Sequence, residues 1–185
     1  IQTFLGYGAD VAKSREEARG IMQGLGHSAD KPLKIKLTTR NLAQYRDAAV
    51  ILSDQFKQVF IDAELDVLDS SVWYTRLARR DFSVGLNVQG VPTDDPDIVF
   101  FETYGCKSDR NYTAYCNPAL EEQFHQQSAM RDIDARRKLV WEIDRKLQED
   151  GARPVIAHNR AATCWDAHVK GLSIAHNTIY NHWRF

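Results

Sequence analysis

Residues 33–89 read LKIKLTTRNLAQYRDAAVILSDQFKQVFIDAELDVLDSSVWYTRLARRDFSVGLNVQ. The opening LKIKLTT alternates apolar and polar side chains, the pattern of a half-buried strand. Asn41 then opens a long helix. Tyr45, Ala49, Leu52, Phe56, Val59 and Phe60 fall on one face of it at helical spacing, which reads as core packing. Residues 64–68 form a second predicted strand, and Ser71 caps a predicted short helix ending at Arg79. Residues 82–89 alternate again and are the third. Strand, helix, strand, helix, strand implies parallel pairing through helical crossovers, hence an α/β architecture with a mixed, partly parallel sheet flanked by helices.

Outward on the N-terminal side, Ser14-Arg-Glu-Glu17 has the form of a capping box, with Gly26 as the stop of the helix it starts. On the C-terminal side lies the polar, cysteine-bearing stretch 94–117, DDPDIVFFETYGCKSDRNYTAYCN. Its layout predicts a loop at the mouth of a site rather than a piece of core. Asp95-Pro96 and Asn117-Pro118 are helix starts, because the polar side chain accepts from free N–H groups and proline fits the first turn. Two helices follow, 118–130 and 133–149. Asp132 caps the second, Ala135, Leu139, Ile143 and Leu147 mark its inner face, and Gly151 and Pro154 end it. Residues 155–158 are a predicted short strand and 169–175 a weaker one. Trp73, Trp141 and Trp165 are assigned to packing, and Cys164 to a buried, small apolar site.

The chain has 185 residues, 43% hydrophobic and 26% charged, with a net charge of −1. That suits ordinary globular folding and speaks against disorder. It also lacks the basic stripe of a nucleic-acid binder. No apolar run approaches the length of a bilayer span. Cys106 and Cys116 are close enough in sequence for a short disulfide loop in an oxidising compartment; two free thiols in a reducing one are the alternative.

Several stretches together resemble a known family. Asp95-Pro96-Asp97, the aromatic run, Cys106, Asn111-Tyr112, Tyr115-Cys116 and Asn117-Pro118 before an acidic helix look like the family 5 extracellular solute-binding proteins of peptide and nickel ABC importers. SREEARGIMQGLGH (14–27), the W…L…DF pattern within 73–90, and RDIDARRKLVWEIDRKLQEDGARP (131–154) resemble further stretches of that family in the same order. The resemblance implies that residues 1–185 are a single C-terminal lobe, a fragment of a longer two-lobed chain of the type II, cluster C solute-binding fold. It implies a periplasmic or surface-anchored binding protein without enzymatic activity or cofactor. Its partners would be a small solute or peptide and the permease subunits of an importer, not nucleic acid. The membrane would be reached only through the permease or a lipid anchor. Relatives with a similar loop favour the Cys106–Cys116 disulfide.

For the site, the resemblance places ligand contacts in the turn after the third strand, Gln89, Gly90, Val91, Pro92, Thr93 and Asp94. Asn111 and Tyr112 of the stapled loop are added to them, Asn111 doubling as a clasp for the loop's own backbone. One departure stands out. Peptide-binding relatives place an aspartate ahead of the DPD element to pair with a peptide's amine, and here that position is Pro92. Asp94 would have to substitute. A metal or hydrolase site built on His158, Cys164 and His168 is the competing expectation, although its spacing fits no established zinc pattern. Arg76, Arg79 and Arg80 are expected at a solvated helix end.

Overall fold

The computed structural model describes residues 6–90, 93, 95–158, 162 and 164–171. Two compact units divide at Val88.

The first unit begins with α1, Val11–Gly24. Its cap is Asp10, whose carboxylate accepts from the Lys13 N–H at 3.0 Å. The expected capping box at Ser14 therefore lies one turn inside the helix. There the Ser14 hydroxyl donates back to the Asp10 carbonyl. The end is as expected: Gly26 takes φ +85°, with Gly26 N–H bonded to the Gln23 carbonyl and His27 N–H to that of Met22. This pairing satisfies carbonyls the helix itself leaves open.

Three strands follow: β1, Leu33–Arg40; β2, Ile61–Leu68; and β3, Val84–Gly85. They pair in parallel in the order β2-β1-β3, with Leu37 opposite Leu65 and Val84. The crossovers are α2, Ala43–Lys57, and α3, Ser70–Ala78. This is the predicted α/β arrangement. Leu37, Ala49 and Ala63 are buried at its centre, with Ile35, Leu52, Phe56, Val84 and Leu86 packed around them. Trp73 and Leu77 are buried as well, so the assignment of Trp73 to packing stands. Helix α2 ends before Val59, and Phe60 takes φ 64° in the turn to β2, so these two residues leave the helical stripe. Strand β2 starts three residues earlier than its predicted 64–68. The cap of α3 is Asp69 rather than Ser71, and Ser71 N–H is its donor.

Strand β3 is the largest shortfall against the eight residues expected. A Cβ on Gly85 would lie 3.2 Å from the Phe82 ring and 3.3 Å from that of Trp73. The Phe82 ring thus lies alongside Gly85, which stays exposed, instead of continuing the alternation. Beyond it, Leu86 N–H still bonds the Thr38 carbonyl, and the Thr39 hydroxyl takes over by donating to the Leu86 carbonyl.

The second unit is helical among its described residues. A short turn, α4 (Asp97–Val99), runs into a π-helical segment, Phe100–Tyr104. Helices α5, Pro118–Ala129, and α6, Ile133–Glu149, follow close to prediction, capped by Asn117 and Asp132. Gly151, at φ +60°, ends α6 as expected. Phe100, Leu120, Phe124, Ile143, Leu147 and Ala152 form one buried cluster. The aromatic run of the stretch 94–117 is therefore core after all, and only the segment after it is a loop. Trp141, assigned to packing, is 63% exposed. It lies about 200° around the helix from Ile143, on the outer face. Trp165 and Cys164 are exposed too, and no strand forms over residues 155–158. No helix or strand is present among the described residues beyond Glu149 to cover them. The weaker strand expectation at 169–175 falls largely outside the described residues.

Candidate functional site

The predicted binding turn begins at Gln89. Its side-chain oxygen accepts from Arg153 at 2.7 Å and its amide donates to the Gly90 carbonyl. Gln89, Gly90 and Thr93 are exposed. Val91, Pro92 and Asp94 lie outside the described residues.

Immediately after this turn, the acidic element is built into the second unit's frame. Asp95 takes both arms of the Arg136 guanidinium, each at 2.7 Å, and also accepts from the Asp97 N–H. The Arg136 Nε donates to the Gln127 side chain at 3.0 Å, and the amide of Gln127 reaches the Phe124 carbonyl and Asp97. Ser128 also donates to Asp97. Gln127 is fully buried, so each of its polar atoms needs such a partner. Two-armed arginine–carboxylate pairing fixes direction as well as distance. The network thus ties Asp95, which follows the predicted binding turn in the chain, to helices α5 and α6.

Arg136 holds the Asp95 carboxyl below its ordinary value, first through these hydrogen bonds. A depressed value in the folded state means stability present above about pH 4, the unfolded value, and lost as pH falls through the folded one. We expect Asp95→Asn to lower stability at pH 7 and to flatten the acid limb below pH 4. Urea midpoints measured from pH 2.5 to 7 check this, and parallel curves for the two proteins would contradict it.

Cys106 and Cys116 are joined in a disulfide, their Cα atoms 4.6 Å apart. The loop they close is held from inside by Asn111, 1% exposed, whose amide donates to the carbonyls of Gly105 (3.0 Å) and Tyr115 (2.6 Å). Of its two predicted roles the clasp is the visible one. Glu121 accepts from the Cys106 N–H at 3.1 Å. At Gly105 any Cβ would come within 2.6 Å of the Phe101 carbonyl oxygen, so only glycine fits. The Tyr115 hydroxyl donates to Asp150 at 2.7 Å. Burial, with that carboxylate beside it, pushes the phenol up to about 12, so it remains a donor. Tyr112 is half-buried.

His158 and Cys164 are exposed, and His168 turns to Asp166 at 2.6 Å. Among the described residues no three His, Cys, Asp or Glu side chains gather into a metal-binding group. The competing set is not assembled. Arg76 bridges Asp66 (2.8 Å) and Asp81 (3.0 Å), which makes it a link between β2 and the turn after α3. Arg79 and Arg80 are exposed, as expected of a solvated helix end.

The sequence reading missed a second cluster, at the carboxyl end of the first unit's sheet, the edge where open α/β sheets take ligands. Arg40 closes β1, the central strand. Its Nε and one terminal nitrogen donate to the Ser70 hydroxyl at 3.1 and 2.9 Å. The other terminal nitrogen reaches the Tyr45 and Tyr74 hydroxyls at 3.2 and 3.4 Å. Its guanidinium carbon is 5.1 and 5.2 Å from the two ring centroids. Its legible signal was a lone cation at the carboxyl end of the best-patterned strand.

No protein-family model matches the chain, and no curated protein sequence does. Solved structures do match in fold. Haemophilus influenzae OppA in complex with the peptide RPPGFSPFR has a TM-score of 0.74 at 18% identity, over 81% of this chain and 30% of its own. NikA from Staphylococcus aureus, in complex with Ni(L-His)2, has 0.67 at 21% identity, over 75% and 30%. The ABC transporter-associated periplasmic binding protein DppA from Helicobacter pylori, with peptide STSA, has 0.67 at 15%, over 79% and 28%. The chain spans about 30% of the length of these neighbours, and its small parallel sheet flanked by helices is that of a solute-binding protein lobe.

Proposed function

We propose that this chain is one lobe, the C-terminal one, of the substrate-binding component of an ABC importer. The observation that carries the reading is the β2-β1-β3 parallel unit in a chain whose fold follows that of several solute-binding proteins. In such a molecule two lobes close on a solute by hinge motion. Closure dries the polar contacts and so strengthens them. The present lobe supplies one wall, for which the turn at Gln89, Gly90, Val91, Pro92, Thr93 and Asp94 and the loop residues Asn111 and Tyr112 are the proposed lining. The solute is a small molecule or peptide, handed on to permease subunits. The place of action is the periplasm or the cell exterior, in keeping with a disulfide. No helix among the described residues is long and apolar enough to cross a membrane. The role is binding, without covalent chemistry or a cofactor.

The test uses the two-lobed protein that this reading calls for. A thermal-shift screen against peptides, amino-acid derivatives and oligosaccharides is expected to find a stabilising class, whereas residues 1–185 alone bind that class weakly or not at all. Affinity of the isolated chain equal to that of the two-lobed protein would defeat the reading.

A further inference from the structure

We infer that the outer face of α6 docks onto the outer face of α2 in a second copy of this chain. The inference does not depend on the solute-binding reading.

Apolar side chains exposed singly are ordinary on a protein surface. These two faces differ, because each sets its apolar group between charges of one sign. On α6, Trp141 is 63% exposed. Arg137 and Lys138 lie one turn before it and Arg145 one turn after, all exposed and on its side of the helix. Arg137 is paired with Asp134, whereas Lys138 and Arg145 have no ion pair among the described residues. The neighbouring acids do not offset them. Asp144 accepts from Gln148 at 3.4 Å, and Glu142 lies about 100° around the helix from Trp141.

On α2, Val50 and Ile51 are 54% and 59% exposed. Exposed Asp47 and Asp54 flank them one turn to either side, and the four form one stripe opposite buried Tyr45, Ala49 and Ser53. Asp47 has no ion pair among the described residues. Asp54 meets Lys57 at 3.9 Å with both side chains exposed, a contact worth little. Arg46, the other nearby cation, donates to Asn41.

The two stripes match in spacing as well as in sign. Lys138 and Arg145 are seven residues apart, as are Asp47 and Asp54, which is about 10.5 Å along either helix. Helices crossing at about 20° keep their side chains in step over that distance. With the axes antiparallel, Asp54 meets Lys138, Asp47 meets Arg145 and Trp141 covers Ile51. An aromatic ring among arginines is the composition of an interface centre. A second copy is the occupant because the acid–apolar–acid stripe that fits this centre is on the chain itself. The net charge of −1 supplies no general attraction between copies, so the two stripes must provide it. Since the faces differ, the contact is heterologous. A single helix pair is a small interface, so the association is weak and sensitive to salt.

The test is analytical ultracentrifugation of residues 1–185 over a wide range of concentration, at low and high salt. The average mass should rise with concentration, and less so at high salt. Lys138→Glu with Arg145→Glu, and separately Asp47→Lys with Asp54→Lys, should each weaken the association by about tenfold or more. Mixing the two reversed proteins should restore it, because reversed α6 faces then meet reversed α2 faces. Trp141→Ala should weaken it too and leave the urea midpoint unchanged, as the side chain is on the surface. A monomer at every concentration, or a mixture no more associated than its components, would overturn the inference. So would binding to phosphatidylserine vesicles that Lys138→Glu with Arg145→Glu abolishes, since the α6 face would then belong to an anionic lipid surface. Association of residues 1–185 that disappears in the two-lobed protein would assign a face to the other lobe, overturning the self-contact and leaving the solute-binding reading intact.

Discussion

Phe124→Ala should lower the stability of the second unit by about 3–5 kcal/mol, the usual cost of deleting a fully buried aromatic ring. Phe124 is 1% exposed and stacks on Phe100 with centroids 5.1 Å apart, while Phe101 meets it edge-on at 5.9 Å. Leu120, Ile143, Leu147 and Ala152 complete the cluster. Two helices and the π-helical segment meet there, so no single neighbour can move in to fill the space. The backbone carbonyl of Phe124 also accepts from buried Gln127, which in turn orients Arg136. The effect should therefore spread to the Asp95 anchor. Phe124→Leu, which keeps much of the volume, should cost less than half as much. Urea unfolding followed by circular dichroism checks both. A loss under about 1 kcal/mol for the alanine protein would mean that the cluster does not hold the unit together.

Removing the disulfide, by Cys106→Ser with Cys116→Ser, should cost about 3 kcal/mol, the loop-closure value for a span of this length. The bridge joins residues 10 apart. Its loss frees a segment that otherwise depends on Asn111 and on the Tyr115–Asp150 hydrogen bond. The two Asn111 bonds end on the carbonyls of Gly105 and Tyr115, at the two ends of the bridged segment. Opening the ring therefore loosens both at once, and the serine protein should unfold less cooperatively at this loop. Urea midpoints of the parent in reductant should match those of the double-serine protein in either condition. Alkylation without reductant should label one thiol, Cys164, which is exposed and free. Three labelled thiols would show an open pair and remove the oxidising-compartment argument.

Both experiments concern the second unit, and there the sequence was legible where chemistry is local. Asn117-Pro118 and Asp132 start helices because a side chain two or three residues away meets their free N–H groups. Gly26 and Gly151 stop helices because each takes a positive φ, which costs any other residue more. The amphipathic stripe of α6 names its buried face through period alone, whereas β1 alternates only as far as Lys36, and Leu37, Thr38 and Thr39 are all buried because the central strand is covered on both faces there. Between Asp10 and Ser14 the local signals competed, since two acceptors stood one turn apart, and the helix starts at the earlier one.

The parallel α/β unit and the caps at Asn117 and Asp132 were legible in the sequence itself, because each rests on period or on a contact within one turn, whereas spacing allowed the Cys106–Cys116 bridge without excluding two free thiols. The shortness of β3, the burial of the aromatic run at 100–104 and the exposure of Trp141 were decided by tertiary structure, which alone settles what covers a side chain. The same holds for both polar networks. Asp95 and Arg136 are 41 residues apart, and Arg40 and Ser70 are 30 apart. Neither pairing leaves a local pattern, since a charge finds its partner through the folded chain, and only the fold shows that Asp95 is matched by a cation while Arg40 meets hydroxyls and rings.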